Sequence, residues 1–432
     1  MKVVHIVPGS GGTFYCQNCL RDAALVRALR GEGLDALVAP LYLPLLQDRP
    51  GETAEGPIFF GAINVYLQEK SALFRRTPRW LDRFLDAMPL LRWAARKAGT
   101  TRAEGLDAMT WSMLRGEEGR QAKEVRRLVE WLKEDVRPGA VHISNALLLG
   151  LAPSLKRELD VPIYCSLQDE EGWIEAMEPA WRERIWALLA EQARRVDLFT
   201  AVSDWYGGVM AKRLALPPEK LRVVPLGIDL EGYGQAPLDL DPPTLGYLSR
   251  MTPDLGLDLL FQAFLELKGR PEFAALRLRI TGGQTGDDLE FIAGMKQQVA
   301  AAGLAADVDF TDELGREERL AFLRSLSLLS VPAPKGEAFG AFILESLAAG
   351  VPLVQPRAGA FPEVLAATGG GVLCEPGDPE GLAAAIGELL GDPERLRELG
   401  RRGRETVHRD FGIERMARRM AEIYRAEAER ST

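Results

Sequence analysis

Short apolar segments typical of buried strands alternate with helical patterns along almost the whole sequence. The first series of predicted strands lies at residues 3–7, 36–40, 140–143, 162–166 and 198–202. The second series lies at residues 244–248, 276–282, 308–310, 328–331 and 351–354. Strands that alternate with helices form parallel sheets covered on both faces. The sequence therefore predicts an α/β fold with two such sheets.

Two domains are expected, because 432 residues exceed what one hydrophobic core usually holds. A stretch rich in proline and aspartate at 236–243 separates the two series and is interpreted as a linker. The predicted domains are 1–235 and 244–410. Residues 411–432 contain a last predicted helix, at 413–425, whose apolar face is formed by Ile413, Met416, Met420, Ile423 and Tyr424.

Charge and composition exclude several classes of protein. A net charge of −9 argues against a general nucleic-acid-binding protein, because neutralising phosphates needs a basic face. Four cysteines in so long a chain do not form a disulfide framework, which favours a reducing compartment. The first residues are typical of a strand rather than a signal peptide, and no segment reaches the roughly 18 apolar residues of a spanning helix. A cytoplasmic protein is therefore expected.

The segment 335–352 carries the strongest functional pattern. Glu337 and Glu345 flank a turn at Gly340, which opens a predicted helix. The first turn of a helix leaves its N–H donors without acceptors in the helix, here those of Ala341 and Phe342. The segment therefore combines carboxylate acceptors suited to sugar hydroxyls with backbone donors suited to a phosphate.

The residues that follow strengthen this pattern. A short strand at 351–354 precedes a Gly-Pro-Glu turn at 359–363, a glycine run at 369–374 and a Pro-Gly-Asp turn at 376–378. In this order the elements resemble the Glu-x7-Glu region of retaining glycosyltransferases of family 4. The resemblance covers most of the chain and is sharper in the second half. It implies the GT-B fold, in which two Rossmann-like domains face each other across an interdomain cleft and the last helix crosses back to the N-terminal domain.

The resemblance also implies roles for individual residues. Glu345 would hold the ribose hydroxyls of a nucleotide and Glu337 the hydroxyls of the donor sugar, while the N–H groups of Ala341 and Phe342 would face the sugar or phosphate. Gly11 and Gly12, in the glycine loop after the first strand, would complete the donor site from the other domain.

A second motif, at 249–256, matches the family pattern in part. Arg250 stands at the position expected to clamp the diphosphate. Leu255 stands where the family has lysine, and losing one charge-assisted contact removes about 1.5–3 kcal/mol. Lys335 is a candidate substitute. The departure indicates either a weakened enzyme or a different donor.

The strand at 162–166 leads to a third group of candidates. Gln168 occupies the position where many family members have a histidine that points at the reacting sugar, and an amide can hydrogen-bond a hydroxyl but cannot act as a base. Asp169 and Glu170 are interpreted either as acids that orient an acceptor hydroxyl or as solvated loop residues. His142 is interpreted either as a residue lining the cleft or as a core histidine.

Two further groups of residues have weaker assignments. Gly282, Gly283 and Leu314 follow strands of the second series, in loops that cradle the nucleotide base in the family. Cys16 and Cys19 have redox-motif spacing, but small residues packed beside the donor loop are the favoured interpretation.

An aromatic and basic helix at 74–97 lies in a predicted helical insertion at about 67–131. It is interpreted as a peripheral membrane contact or acceptor lid, or as a packed insertion, and we favour the packed insertion.

The resemblance predicts a retaining, metal-independent hexosyltransferase that needs no cofactor. Glu337, Arg250 and Gln168 would act at the reacting sugar. The donor would be a UDP- or GDP-sugar, and the acceptor stays open, with lipid-linked acceptors among the alternatives. A non-catalytic sugar-nucleotide-binding homologue and a phosphorylase or synthase of the same fold are the other two hypotheses.

Overall fold

A computed structural model describes residues 1–8, 17–42, 105–311 and 315–430. Contacts divide the chain into two compact units, each considered by itself below. The first comprises Met1–Gly12, Asn18–Pro225 and Met416–Thr432, and the second comprises Thr13–Gln17 and Leu226–Arg415. The basic helix predicted at 74–97 lies outside the described residues.

The described part of the first unit contains a six-stranded parallel sheet with the order β2-β1-β3-β4-β5-β6. Its strands are β1 (Lys2–Val7), β2 (Asp35–Pro40), β3 (Ala140–Ile143), β4 (Ile163–Leu167), β5 (Leu198–Ala201) and β6 (Leu221–Val223). Its helices are α1 (Gln17–Gly31), α2 (Asp107–Leu114), α3 (Ala122–Trp131), α4 (Ala152–Leu159), α5 (Glu170–Glu175), α6 (Pro179–Ala193) and α7 (Asp204–Leu214). The central strands β3, β4 and β5 are buried along their whole length, as their continuous apolar sequences predict.

The described part of the second unit contains another six-stranded parallel sheet, with the order β12-β11-β10-β7-β8-β9. Its strands are β7 (Thr244–Leu248), β8 (Arg277–Thr281), β9 (Val308–Phe310), β10 (Leu328–Leu329), β11 (Leu353–Pro356) and β12 (Gly371–Cys374). Its helices are α8 (Leu257–Lys268), α9 (Leu289–Ala301), α10 (Arg316–Arg324), α11 (Ala341–Ala348), α12 (Phe361–Thr368), α13 (Pro379–Leu390) and α14 (Pro393–Asp410). The last helix is α15 (Ile413–Arg430), which belongs to the first unit from Met416 onward. The predicted α/β class with two parallel sheets is confirmed.

One local prediction in the second unit needs correction. The turn predicted at 359–363 ends sooner, because α12 already begins at Phe361 with Pro362 in its first turn, where proline's missing N–H costs nothing. The glycine run at 369–374 contains the edge strand β12, which pairs in register with β11.

The segment interpreted as a linker and the residues just before it belong to the second unit. The N–H of Ala236 donates to the carbonyl of Ala349 at 2.8 Å, and Arg404 donates to the carbonyl of Tyr233 at 3.0 Å. The contact boundary consequently lies between Pro225 and Leu226, ahead of the predicted end of the first domain at 235.

A buried aromatic cluster connects α15 to the first sheet. His5 and His142 stand opposite each other on β1 and β3 and stack with ring centroids 4.7 Å apart. The Tyr424 hydroxyl lies 2.7 Å from Nδ1 of His142 and 3.3 Å from Nε2 of His5. Nε2 of His142 lies 2.7 Å from the hydroxyl of Ser166, and His142 is 1% exposed. Both ring nitrogens of His142 are engaged in the core, which favours the interpretation as a core histidine over that of an acceptor residue lining the cleft.

No helix in the described part of the chain is both long and apolar enough to span a membrane.

The buried histidine pair predicts acid sensitivity. Burial, followed by the charge of Arg21, lowers the pKa of His5 to about 3, and burial with the charges of His5 and Arg21 lowers the pKa of His142 well below 6.5. The unfolded chain therefore binds more protons than the folded one below about pH 6.5. The free energy of unfolding is expected to fall as pH drops below this value, by about 1.4 kcal/mol per pH unit for each histidine.

Urea unfolding at pH 7 and pH 5 measures this loss. The variant His5→Asn should lose less free energy between the two pH values than the parent chain. The exposed His408 provides a matched control, so His408→Asn should behave like the parent. Equal acid sensitivity in all three proteins would contradict the assignment to the buried pair.

Candidate functional site

The loops after β7, β8, β10 and β11 lie at one edge of the second sheet, because the carboxyl ends of parallel strands share an edge. Neighbouring loops meet at glycines. A Cβ on Gly282 would overlap the carbonyl of Ser249, and one on Gly256 would overlap the carbonyl of Pro332. A Cβ on Gly336 would overlap the backbone of Ala358. The four loops therefore form one backbone layer in the same spatial order as their strands.

The backbone of Glu337 is held by the loop after β11. The N–H of Ala360 donates to the Glu337 carbonyl at 3.0 Å, and a Cβ on Gly359 would lie 2.7 Å from both N and O of Glu337. The half-buried Glu337 acts on Tyr247, whose pKa is raised well above its usual value by burial and, second, by the charge of Glu337. The charge of Glu337 therefore acts on a residue of strand β7.

The helix that carries Glu345 begins as the sequence predicts. Gly340 adopts a left-handed conformation with φ 87°, and α11 starts at the next residue. Glu345 is 5% exposed, and its Oε1 accepts a hydrogen bond from the Tyr233 hydroxyl at 2.8 Å. Nε of the buried Arg319 lies 3.6 Å from the same oxygen. The carboxylate predicted to hold ribose therefore belongs to a buried polar network.

The guanidinium of Arg250 binds the loop after β8. Nε and Nη2 donate to the two carboxylate oxygens of Asp288 at 2.8 and 2.9 Å, and Nη2 also lies 3.0 Å from Oγ1 of Thr285. Burial raises the pKa of Asp288, but hydrogen bonds from Arg250 and Thr285 outweigh burial, so the net pKa is lowered. The predicted phosphate clamp is thus oriented by an ion pair that the sequence analysis did not find.

The remaining candidates of the second unit lie near these loops. Leu255 ends a short 3₁₀ turn and is half-buried, whereas Lys335 is exposed two residues before Glu337. Gly282 and Gly283 follow β8 with φ of 135° and 77°, which side chains rarely tolerate. Leu314 lies outside the described residues.

The first unit presents a separate polar edge after β3 and β4. The amide nitrogen of Gln168 donates to the carbonyl of Ser144, and Gln168 is buried. Glu170 is 1% exposed, and its carboxylate binds groups of the protein, which corrects its assignment as an acceptor residue. Asp169 is exposed. Gly11, Gly12 and Cys16 lie outside the described residues, and nothing is described of the Cys19 side chain.

Among the described residues, no group of three or more histidine, cysteine, aspartate or glutamate side chains is arranged to hold a metal ion.

Two family models match consecutive parts of the chain. The family described as Glycosyltransferase Family 4 matches residues 106–231, and Glycosyl transferases group 1 matches residues 234–406. The chain belongs to glycosyltransferase family 4. The second match contains the whole Glu337–Glu345 segment, so the resemblance first seen in that segment is confirmed at the level of the family.

Curated relatives of this glycosyltransferase include proteins with different names. D-inositol 3-phosphate glycosyltransferase of Segniliparus rotundus is 31% identical over 249 residues, which is 55% of this chain and 53% of the relative. Glycogen synthase of Mycobacterium tuberculosis is 26% identical over 74% of this chain and 77% of the relative. The chain spans little more than half the length of the first of these relatives.

Solved structures with the same fold include two that align over nearly the whole chain. Sucrose-phosphate synthase from Thermosynechococcus elongatus superposes with a TM-score of 0.72 at 19% identity, over 99% of this chain and 98% of that chain. Anabaena HepE in complex with UDP-glucose gives 0.68 at 16% identity, over 99% and 100% of the two chains. These similarities confirm the GT-B fold.

Sequence reasoning missed the residues that hold the candidate side chains. Tyr233 and Arg319 contact Glu345 from distant parts of the sequence, and no spacing rule indicates such contacts. Asp288 had a local signal, since Thr285 and Asp288 form a capping box with the spacing typical of that motif.

Because two loops approach each other closely at Gly359, adding one methyl group there should lower the free energy of unfolding. Gly359→Ala should destabilise the protein by about 1–3 kcal/mol more than Gly377→Ala, because the new Cβ meets the Glu337 backbone. Gly377 is a matched control, as it has a similar positive φ of 71° but open space around its Cβ position. Urea unfolding measures the stability of the two variants. An equal loss of unfolding free energy in both would show that the loop contact at Gly359 is not tight.

Proposed function

We propose that this chain transfers a sugar from a nucleotide-sugar donor to an acceptor hydroxyl, with retention of the anomeric configuration and without a metal ion. The observation that carries the proposal is the loop and helix start at 335–345. This segment carries Glu337 in the layer of loops at the edge of the second sheet. It also lies within the residues that match the family model.

The residues of this edge suit the parts of such a donor. Glu337 offers carboxylate oxygens to sugar hydroxyls, and the start of α11 offers backbone donors and the positive end of its dipole to a phosphate. Arg250 adds a guanidinium whose orientation is set by Asp288. Holding the leaving diphosphate in place stabilises the charge that develops on it during transfer.

The names and ligands of similar proteins support this class of donor. Anabaena HepE has been solved with UDP and with UDP-glucose, and the relatives named above act in glycosyl transfer. We propose a UDP- or GDP-sugar for this chain. Retention follows the family, in which the acceptor hydroxyl attacks on the face of the leaving group and the departing phosphate takes the proton.

One specific observation favours a second candidate, a sugar-nucleotide-binding protein with little or no transfer activity. Leu255 supplies no charge at the position where the family has lysine, and two nitrogens of Arg250 already bind Asp288. Both features reduce the positive charge available to a leaving diphosphate.

Release of free nucleotide from a panel of UDP- and GDP-sugars, with and without hexose acceptors, tests the proposal. Transfer predicts time-dependent release from at least one donor, and nuclear magnetic resonance of the product should show the donor's anomeric configuration. Binding without release from any donor would support the second candidate, and an inverted product would contradict retention.

Removing the charge of Glu337 should lower turnover. Glu337→Gln loses a charge-assisted hydrogen bond to a sugar hydroxyl, worth about 1.5–3 kcal/mol, which is about ten- to a hundredfold in kcat/KM. Initial-rate measurements with the best donor of the panel give this ratio. Glu272→Gln removes an exposed carboxylate of the same unit and should leave the rate unchanged. Equal rates in Glu337→Gln and the parent would exclude Glu337 from donor binding.

Restoring lysine at position 255 should act in the opposite direction. Leu255→Lys places a cation at the position expected to contact the diphosphate, so kcat should rise by about tenfold if phosphate binding limits transfer. Leu265→Lys is the control, because Leu265 is 36% exposed and lies on helix α8. An unchanged kcat in Leu255→Lys would indicate that the leucine is adapted to the natural donor.

A further inference from the structure

The carboxylate of Asp288 is buried between a turn of its own loop and the side chain of Arg250. Oδ2 accepts from Nε of Arg250 and from the N–H and the hydroxyl of Thr285, each at 2.8 Å. Oδ1 accepts from Nη2 of Arg250 at 2.9 Å. The side chain of Asp288 is 0% exposed, whereas that of Arg250 is 18% exposed. A ligand at this edge can therefore touch Arg250 but not Asp288.

The loop after β8 fixes this carboxylate by local hydrogen bonds. Thr285 and Asp288 form a capping box around the 3₁₀ turn Gly286–Asp288, which leads directly into α9. The Thr285 hydroxyl also lies 3.0 Å from Nη2 of Arg250, so it contacts both members of the ion pair. The turn therefore sets where the guanidinium finds its acceptors.

The backbone of Arg250 is held independently of its side chain. Its carbonyl accepts from the hydroxyl of the buried Tyr247 at 2.9 Å, and the N–H of Met251 donates to the carbonyl of Gly283 at 3.3 Å. With both ends fixed, Arg250 loses its rotamer freedom during folding. Ligand binding then does not carry this entropic cost, because the guanidinium is oriented before the ligand arrives.

The same ion pair reduces the attraction of Arg250 for an anion. Burial raises the pKa of Asp288, but hydrogen bonds from Arg250 and Thr285 outweigh burial, so the net pKa is lowered and the carboxylate is ionised at neutral pH. Its negative charge lies against the guanidinium and opposes the attraction of a diphosphate. Asp288 therefore has two opposite effects, since it orients the guanidinium and also balances its charge.

We infer that Asp288 is a positioning residue, which holds the guanidinium of Arg250 in the orientation that stabilises a leaving diphosphate and at the same time weakens the binding of the free nucleotide. The inference rests on the proposed function, which supplies the diphosphate. Nucleotide binding gains mainly from the charge of Arg250, whereas transfer gains from donors aimed at the charge that develops as the sugar leaves. The two effects should therefore separate in measurements of affinity and of turnover.

Replacing the carboxylate by an amide of nearly equal size tests this separation. In Asp288→Asn, kcat should fall by about tenfold, because the charge-assisted hydrogen bonds that orient the guanidinium are weakened. The Kd of UDP or GDP, whichever the parent binds, should fall by about threefold, because no carboxylate opposes the diphosphate. Initial rates with the best donor give kcat, and isothermal titration calorimetry gives Kd.

The matched control is Glu290→Gln. It removes an exposed carboxylate from the first turn of α9, two residues after Asp288, and should leave kcat and Kd unchanged.

The Thr285 hydroxyl gives a second comparison that leaves the charge of the ion pair unchanged. Thr285→Val removes the hydroxyl and should lower kcat by at least about threefold, with an unchanged Kd of the nucleotide. Thr285→Ser keeps a hydroxyl and should retain the kcat of the parent. These two variants decide the inference if Asp288→Asn folds poorly, and equal kcat in Thr285→Val and the parent would then overturn it.

A double-mutant cycle shows whether Asp288 acts through Arg250. In the background Arg250→Gln, adding Asp288→Asn should lower kcat no further, because no guanidinium remains to be oriented. Equal losses of kcat from Asp288→Asn with and without Arg250 would overturn the inference. A parallel loss of kcat and of nucleotide affinity in Asp288→Asn would also overturn it, since a general loss of structure has that effect.

The orientation of the guanidinium has a further readout that needs no turnover. In proton–nitrogen correlation spectra of the arginine side chains, the Nε–H resonance that disappears in Arg250→Gln belongs to Arg250. This N–H donates to the buried Asp288, so it should exchange slowly with water in the parent and at least about tenfold faster in Asp288→Asn. Equal exchange in the two proteins would overturn the inference.

Failure of this inference is distinguishable from failure of the proposed function. Sugar transfer with an unchanged kcat in Asp288→Asn would overturn the role of Asp288 and leave the transferase proposal standing. Slow Nε–H exchange that depends on Asp288, together with tighter nucleotide binding in Asp288→Asn but no release from any donor, would support the role of Asp288 and contradict the transferase proposal.

Discussion

The second unit depends on one packing constraint, which is that four loops meet at glycines too closely for any side chain. Gly282 lies against the loop after β7, Gly256 against the loop after β10, and Gly336 against the loop after β11. Parallel strands bring the loops to one edge, but only the absence of Cβ atoms lets their backbones touch. The resulting layer is rigid because moving one loop moves its neighbour, and interiors packed at this density transmit small displacements.

The candidate donor residues take their positions from this layer. Glu337 is held through its backbone by the loop after β11, and Arg250 through its side chain by Asp288 in the loop after β8. The carboxylate of Glu345 is held by the Tyr233 hydroxyl and the Arg319 guanidinium. The geometry of these side chains is thus set by backbone contacts and buried ion pairs, which is how a binding site is preorganised before its ligand arrives.

The architecture could be predicted from the sequence, and the supports of the site could not. Alternating strands and helices indicate parallel sheets because the pattern is local, and the start of α11 after Gly340 follows from turn and helix chemistry. From the sequence, Glu170 has two interpretations, an acid that orients an acceptor hydroxyl or a solvated loop residue, yet the structure buries it against Tyr206 and Ala146, which only the fold brings near. Contacts between distant segments leave no period or spacing in the sequence, so burial of a charged residue cannot be inferred from it.

Amide hydrogen exchange with and without a saturating nucleotide sugar measures whether the loops of the second unit hold the donor. Donor binding there should slow exchange in peptides spanning 335–345 and 249–256, because ligand contacts protect backbone N–H groups and suppress local opening. Slower exchange confined to the first unit, or no change in either segment at full occupancy, would contradict donor binding by these loops.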